Sequence, residues 1–257
     1  VRAAARIEVA HRNGRDEVVD RSCAAPISVR RCGDRVLLAS SAAAPVGGDE
    51  LVLDVVVGAD ARADVGSVSA GLVWPGATNA WSSMITTSDV GARADLAMWL
   101  EPTVSVVGSL HRARTTHRLA ADATCRIVEE VALGRRGEPS GRLDLRLRVE
   151  RAGVVVIDHE DRFGPDVAGV GSSVSVGGAR HVLSAVVVGP PAGESRTWVE
   201  SGRAAAWLPV APDAAIVFAV GADRPGVLDL LDRLAPELWH DRCAMVRPSD
   251  QAVDQRT

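Results

Sequence analysis

The sequence predicts a mainly β protein: a layered, β-helix-like stack of strands with few short helices and one C-terminal amphipathic helix. Three observations carry this expectation. Apolar and polar residues alternate along 51–57, 143–150 and 154–158, and 182–188 and 214–220 are apolar runs of strand length. A short strand–turn–strand unit recurs in the first half. Only one stretch carries the 3.6-residue period of a helix.

In 143–150 the parity is clean, with Leu143, Leu145, Leu147 and Val149 on one face and Asp144, Arg146, Arg148 and Glu150 on the other. Residues 151–153 then read as a short hairpin turn. The recurring unit appears as Val57-Gly-Ala-Asp-Ala-Arg-Ala-Asp-Val65, Ser88-Asp-Val-Gly-Ala-Arg-Ala-Asp-Leu96 and Leu119-Ala-Ala-Asp-Ala-Thr-Cys-Arg-Ile127. Aligned on Ala61, Ala92 and Ala123, the units stand 31 residues apart each time, as expected of β coils stacked side by side. The helix is expected over 226–235. Asp223 is its cap, Pro225 lies early, and Val227, Leu230, Leu231 and Leu234 form one apolar stripe. The Ala-rich stretch 203–207 reads as a helical turn, and 164–178, rich in Gly and Ser, as a connecting loop. Residues 1–247 read as a single β-rich domain and the polar stretch 248–257 as a disordered tail.

Composition narrows the function. The 257 residues carry a net charge of −4 with no basic stripe, which argues against nucleic acid. Every basic side chain is Arg, tyrosine is absent and there are two Phe, so stacked aromatic platforms are not expected. No window reaches the apolar length of a membrane span, and the first residues lack a secretory pattern. Cys23, Cys32, Cys125 and Cys243 are irregularly spaced and read as reduced thiols of a cytoplasmic protein.

The most charged strand end is Arg126-Ile-Val-Glu-Glu-Val-Ala-Leu-Gly-Arg-Arg-Gly-Glu138. It concentrates Glu129, Glu130 and Glu138 beside Arg135 and Arg136. Because a strand alternates faces, Glu129 and Glu130 cannot both face solvent if one face is covered. The inward one needs a partner, and the nearby arginines are the expected ones. Asp49 follows Gly47 and Gly48 at the start of a strand, where it can bond its own turn.

Several blocks, in order, resemble the UreD family of urease accessory proteins (UreH in some bacteria). These are Val46-Gly-Gly-Asp-Glu-Leu51, Trp99-Leu-Glu-Pro-Thr103, Glu129-Glu-Val-Ala-Leu-Gly-Arg135 and Gly137-Glu138, spanning roughly 42–163. The resemblance implies a mostly β fold and a non-enzymatic maturation factor. Such a factor binds UreF, which recruits the GTPase UreG, and docks on apo-urease to help deliver nickel. On that reading Asp49, Glu129, Glu130 and Glu138 form a nickel transfer path or a partner-facing edge. Gly47, Gly48, Gly134 and Arg135 hold the turns. No catalytic residue, no tightly bound cofactor and no high-affinity metal site are expected, only transient nickel.

The histidines agree with that. His11, His111, His117, His159, His181 and His240 form no helical metal pair. His111 and His117 share a face but stand about 20 Å apart along a strand. Two alternatives remain. A glycan-cleaving enzyme would need two carboxylates across a groove, and a plain β interaction module would have no link to metal.

Overall fold

The computed structural model describes residues 1–172 and 175–235. The chain opens with two antiparallel hairpins, β1 (Arg2–Arg12) with β2 (Arg15–Cys23) and β3 (Ile27–Cys32) with β4 (Arg35–Ser40). It then winds through β5 (Glu50–Val57), β6 (Arg62–Ser67), β7 (Gly71–Val73), β8 (Ser82–Val90), β9 (Asp95–Trp99), β10 (Thr103–Ser105), β11 (Leu110–Leu119) and β12 (Thr124–Ala132). The hairpin β13 (Arg142–Arg151) and β14 (Val154–Phe163) follows. After it come β15 (His181–Val188), β16 (Arg196–Glu200), β17 (Arg203–Ala211), β18 (Ala214–Gly221) and the helix α1 (Arg224–Leu234).

Successive coils alternate between two sheets. The first has the order β14-β13-β11-β8-β5-β1-β2, and the second β16-β17-β18-β15-β12-β9-β6-β4-β3, with β7 and β10 on a side path. The pairings β1·β5·β8·β11·β13 and β4·β6·β9·β12 are all parallel, so the middle of the molecule is a β-solenoid. Antiparallel strands β2, β3 and β14 finish its ends. Inward side chains of both sheets, among them Ile7, Leu53, Val65, Leu96, Ile127 and Val149, are buried and fill the space between them.

The expected strands all form, and the one starting at Val154 runs on to Phe163. The turn between β13 and β14 places Ala152 and Gly153 at φ 49° and 79°, as a two-residue hairpin of the mirror-image type requires. Helix α1 forms as read. Asp223 accepts the Gly226 N–H at 2.9 Å, and Val227, Leu230, Leu231 and Leu234 are buried against Leu183, Trp207 and Val217 on the outer face of the second sheet. The stretch 203–207 is not a helical turn; it is the first half of β17. Ladders to β16 and β18 satisfy its backbone, and Ala205 and Trp207 pack under α1. That tertiary pairing outweighs the weak helical preference of alanine. The tail 248–257 lies outside the described residues.

The recurring unit is real, but its register differs from the one read by identity. Asp95 pairs with Arg62 on one side and Thr124 on the other. The stacked alanines are therefore Ala61, Ala94 and Ala123, at steps of 33 and 29 residues. What repeats is a four-residue corner: Gly58-Ala-Asp-Ala61, Gly91-Ala-Arg-Ala94 and Ala120-Ala-Asp-Ala123. Each closes with a hydrogen bond from its last residue to its first, and each last alanine points inward, fully buried. The identical string Ala-Arg-Ala-Asp at 61–64 and 92–95 gives a false register, because the second corner ends two residues later within it. Arg93 fits between its neighbours, donating to Asp60 at 2.6 and 2.7 Å through its side chain and to Asp122 at 3.0 Å through its backbone.

Candidate functional site

The residues singled out from sequence gather along the opposite corner of the solenoid. There Gly47 bonds back to Trp74, Gly48 to Trp81, and Asp49 to the carbonyl of Val46. A Cβ on Gly47 would stand 2.6 Å from the Gly76 nitrogen, so two coils touch backbone to backbone at this point. Asp49 accepts the Val46 N–H at 2.8 Å and the Val1 amino group at 2.5 Å. Burial works to raise its pKa, but these two contacts prevail and hold it low. Three coils on from Asp49, Gly134 adopts φ 87°, where any side chain would run into the carbonyls of Glu138 and Pro139.

Arg135 clasps Glu138 with two bonds of 2.9 and 2.8 Å and one from its backbone at 3.0 Å. These bonds hold the Glu138 carboxyl down to about 2. Half-exposed Trp74 and Trp81 lie under Arg135 and Arg112, whose guanidinium carbons stand 5.3 and 4.2 Å above the rings. Tryptophan and arginine together are the residues most enriched where proteins bind one another.

Glu129 and Glu130 part company, as strand parity requires. Glu129 points between the sheets, where Thr115 of β11 donates to it at 2.7 Å. Among the described residues it has no guanidinium partner, and burial pushes its pKa up. Glu130 points outward beneath α1. It accepts from Trp99 Nε1, lies 2.9 Å from His181 Nε2, and takes two bonds from Arg224 at 2.8 and 3.0 Å. Burial opposes its ionisation, but those donors together bring its pKa below the usual value. The expected pairing of these acids with Arg135 is thus overturned. The partner of Glu130 comes from 94 residues away, and Arg135 is committed to Glu138. Projecting from opposite faces of β12, the two carboxylates engage different partners.

A cavity of about 230 Å³ occupies the space between the sheets. It reaches from Ile27 and Leu38 in the first coils to Leu145 in β13, and so runs along the stacking axis. Its wall is mostly apolar, with Leu51, Met84, Met98 and Ile127, and its polar positions include Thr86, His111, Thr115 and Glu129. Glu129, Val131 and Leu145 also line a smaller void that continues to His159, Asp161 and Ser184. Glu129 therefore lies deep in the protein yet retains some accessible surface, and it lines this cavity. His159 bonds Asp161 at 2.7 Å, and that bond raises its pKa.

The interior of the first sheet also holds His111 and His117, bonded through Nδ1 to Ser82 at 2.9 Å and Ser88 at 2.6 Å. Burial lowers both to about 4. Among the described residues, no group of three His, Cys, Asp or Glu side chains is placed to hold a metal ion, and no helix is long and apolar enough to cross a membrane. Cys125 is buried, its thiol pushed up to about 12, and Cys23 and Cys32 are exposed. His240 and Cys243 lie outside the described residues.

Sequence reasoning found the acids but missed Arg224, His181, Thr115 and His159, which are brought in from other coils. Only Trp99 and Glu101 left a local trace, inside the block 99–103.

The family model described as "UreD urease accessory protein" matches residues 1–234. The urease accessory protein UreD of Parafrankia sp. (strain EAN1pec) is 35% identical over 259 residues, covering 91% of this chain and 87% of that one. UreD 3 of Streptomyces griseus subsp. griseus is 33% identical over 250 residues, covering 93% and 97%. UreD of Streptomyces coelicolor is 35% identical over 219 residues, covering 80% and 84%. With a solenoid fold, the motif-bearing corner and a match of this extent, the chain belongs to the UreD family of urease accessory proteins.

Proposed function

We propose that this chain is a non-catalytic cytoplasmic scaffold that assembles with UreF, the GTPase UreG and apo-urease, and that nickel crosses it through the axial cavity. The supporting observation is Glu129, a carboxyl group with no guanidinium partner among the described residues, lining a cavity that extends along the stack. On this reading Glu129 would face the path, with Glu130 at its flank, while Asp49 and Glu138 would serve the corner that carries Trp74 and Trp81 and meet a partner. Nickel accepts carboxylate and imidazole donors, and one weak site releases an ion where a full ligand set would trap it. Burial favours the neutral form of Glu129, and a cation beside it would favour the carboxylate.

The test is complementation in a urease-positive host lacking the gene. The deletion is expected to abolish urease activity at normal subunit levels; unchanged activity would refute the scaffold role. Glu129→Gln should lower urease activation about tenfold or more, equivalent to at least about 1.4 kcal/mol in the limiting step. Folding should survive. The raised pKa of Glu129 means that its ionisation costs stability as pH climbs above the ordinary 4.5. The amide removes that cost, so the variant should be at least as stable as the parent at neutral pH. Normal activation by Glu129→Gln alongside a null deletion would remove the path and leave the scaffold.

A further inference from the structure

The second sheet has a gap on its cavity side. Strand β12 pairs with β9 from Thr124 to Val128 and resumes with β10 at Val131, so residues 129 and 130 have no ladder partner on that side. Facing them are Leu100–Pro102, which leave the strand between Trp99 and Thr103. In the preceding coil the chain likewise leaves the ladder between Ser67 and Gly71. Ser69, Ala70, Glu101 and Glu130 all line the cavity here.

One side chain spans the gap. Arg224, the first residue of α1, reaches Glu130 on one bank with Nε and Nη2, and Glu101 on the other with Nη1 at 3.0 Å. The Glu130 side chain is 0% exposed and that of Glu101 13%, but that of Arg224 is 24% exposed, and Arg224 does not line the cavity. Its guanidinium thus stands on the solvent side of two carboxylates whose residues border the cavity. The other charged or titratable groups at this place are His181, bonded to Glu130, and Arg35, near Glu101 and 3.1 Å from Asp64. The body of α1 is fixed separately by its buried stripe of Val227, Leu230, Leu231 and Leu234.

We propose that Arg224 is a tethered plug on a lateral mouth of the cavity. Its guanidinium stitches Glu101 to Glu130 across the break in the sheet, and swinging out into solvent opens the interior from the side without moving the helix. Charge favours this over a fixed strut. Two carboxylates on the banks attract any small cation that reaches them, and only the covalently attached one is always present. The inference concerns access to the cavity and stands whatever travels through it.

Thiol accessibility tests it. Ala113 lines the cavity from β11. Ala113→Cys would be built in the full chain with Cys23, Cys32 and Cys243 changed to Ser, leaving Cys125, which is 0% exposed, as a built-in reporter of general unfolding. The probe is 2-aminoethyl methanethiosulfonate, small and cationic. Adding Arg224→Gln should accelerate labelling at position 113 tenfold or more while Cys125 stays protected, and Arg224→Lys should remain slow. The triple change Glu101→Gln, Glu130→Gln and Arg224→Gln removes the buried charges together and keeps the variant folded; it too should label faster than the parent. An unchanged rate at position 113 in both amide variants would overturn the proposal. So would a parallel rise at Cys125, which would make Arg224 a pillar of the fold rather than a plug.

Discussion

Replacing Glu130 by alanine is expected to cost about 3–5 kcal/mol of folding stability, the range for breaking a buried ion pair by removing one member. The carboxylate is fully buried and serves Trp99, His181 and Arg224 at once. Its loss strands the Trp99 N–H and the imidazole and leaves Arg224 with Glu101 alone. Glu130→Gln keeps an acceptor for Trp99 and should lose less. The pH dependence has a definite sign. The folded pKa of Glu130 lies below the ordinary 4.5, so its contribution is complete above that value and fades as acid protonates the folded form. Urea unfolding at pH 7 and in mild acid should show the parent and variant converging as pH falls. A cost under about 1 kcal/mol at pH 7 would mean that the network is no stronger than a surface pair.

Acid should also destabilise the parent through His111 and His117. Both rings are buried and held neutral, with pKa near 4 against an ordinary 6.5. The unfolded chain takes up protons from about pH 6.5 downward, whereas the folded chain refuses them until about 4. Stability is therefore full above 6.5 and is lost as pH falls through that window. The gap corresponds to about 3 kcal/mol for each ring, a large share of the roughly 5–15 kcal/mol that holds a domain together. The denaturation midpoint should drop steeply between pH 7.5 and 4.5. His117→Leu should flatten the curve by removing one of the two buried rings, at the cost of the Ser88 bond to its Nδ1. A midpoint independent of pH over this interval would contradict neutral, buried rings.

The sequence alone determined the class of fold, because a strand records its own burial. Leu143, Leu145, Leu147 and Val149 alternate with charged residues whatever lies opposite, and the stripe of α1 at 227–234 needs only its own spacing. It also determined the corner: Gly47, Asp49, Gly134 and Arg135 with Glu138 are local devices, closed within a few residues of one another. The faces of Glu129 and Glu130 were legible as a contrast, but not which was which. The tertiary structure decided what sequence distance hides. The pairing register of these coils comes from strand ladders that join residues 33 and 29 apart, which identity alone placed two residues wrong. The partner of Glu130 lies at Arg224 because α1 docks over the gap in the sheet. The cavity exists because the inward side chains of successive coils, from β4 to β13, fail to fill the space they share. Each of these depends on which segments the packed chain brings together, and no local pattern encodes that.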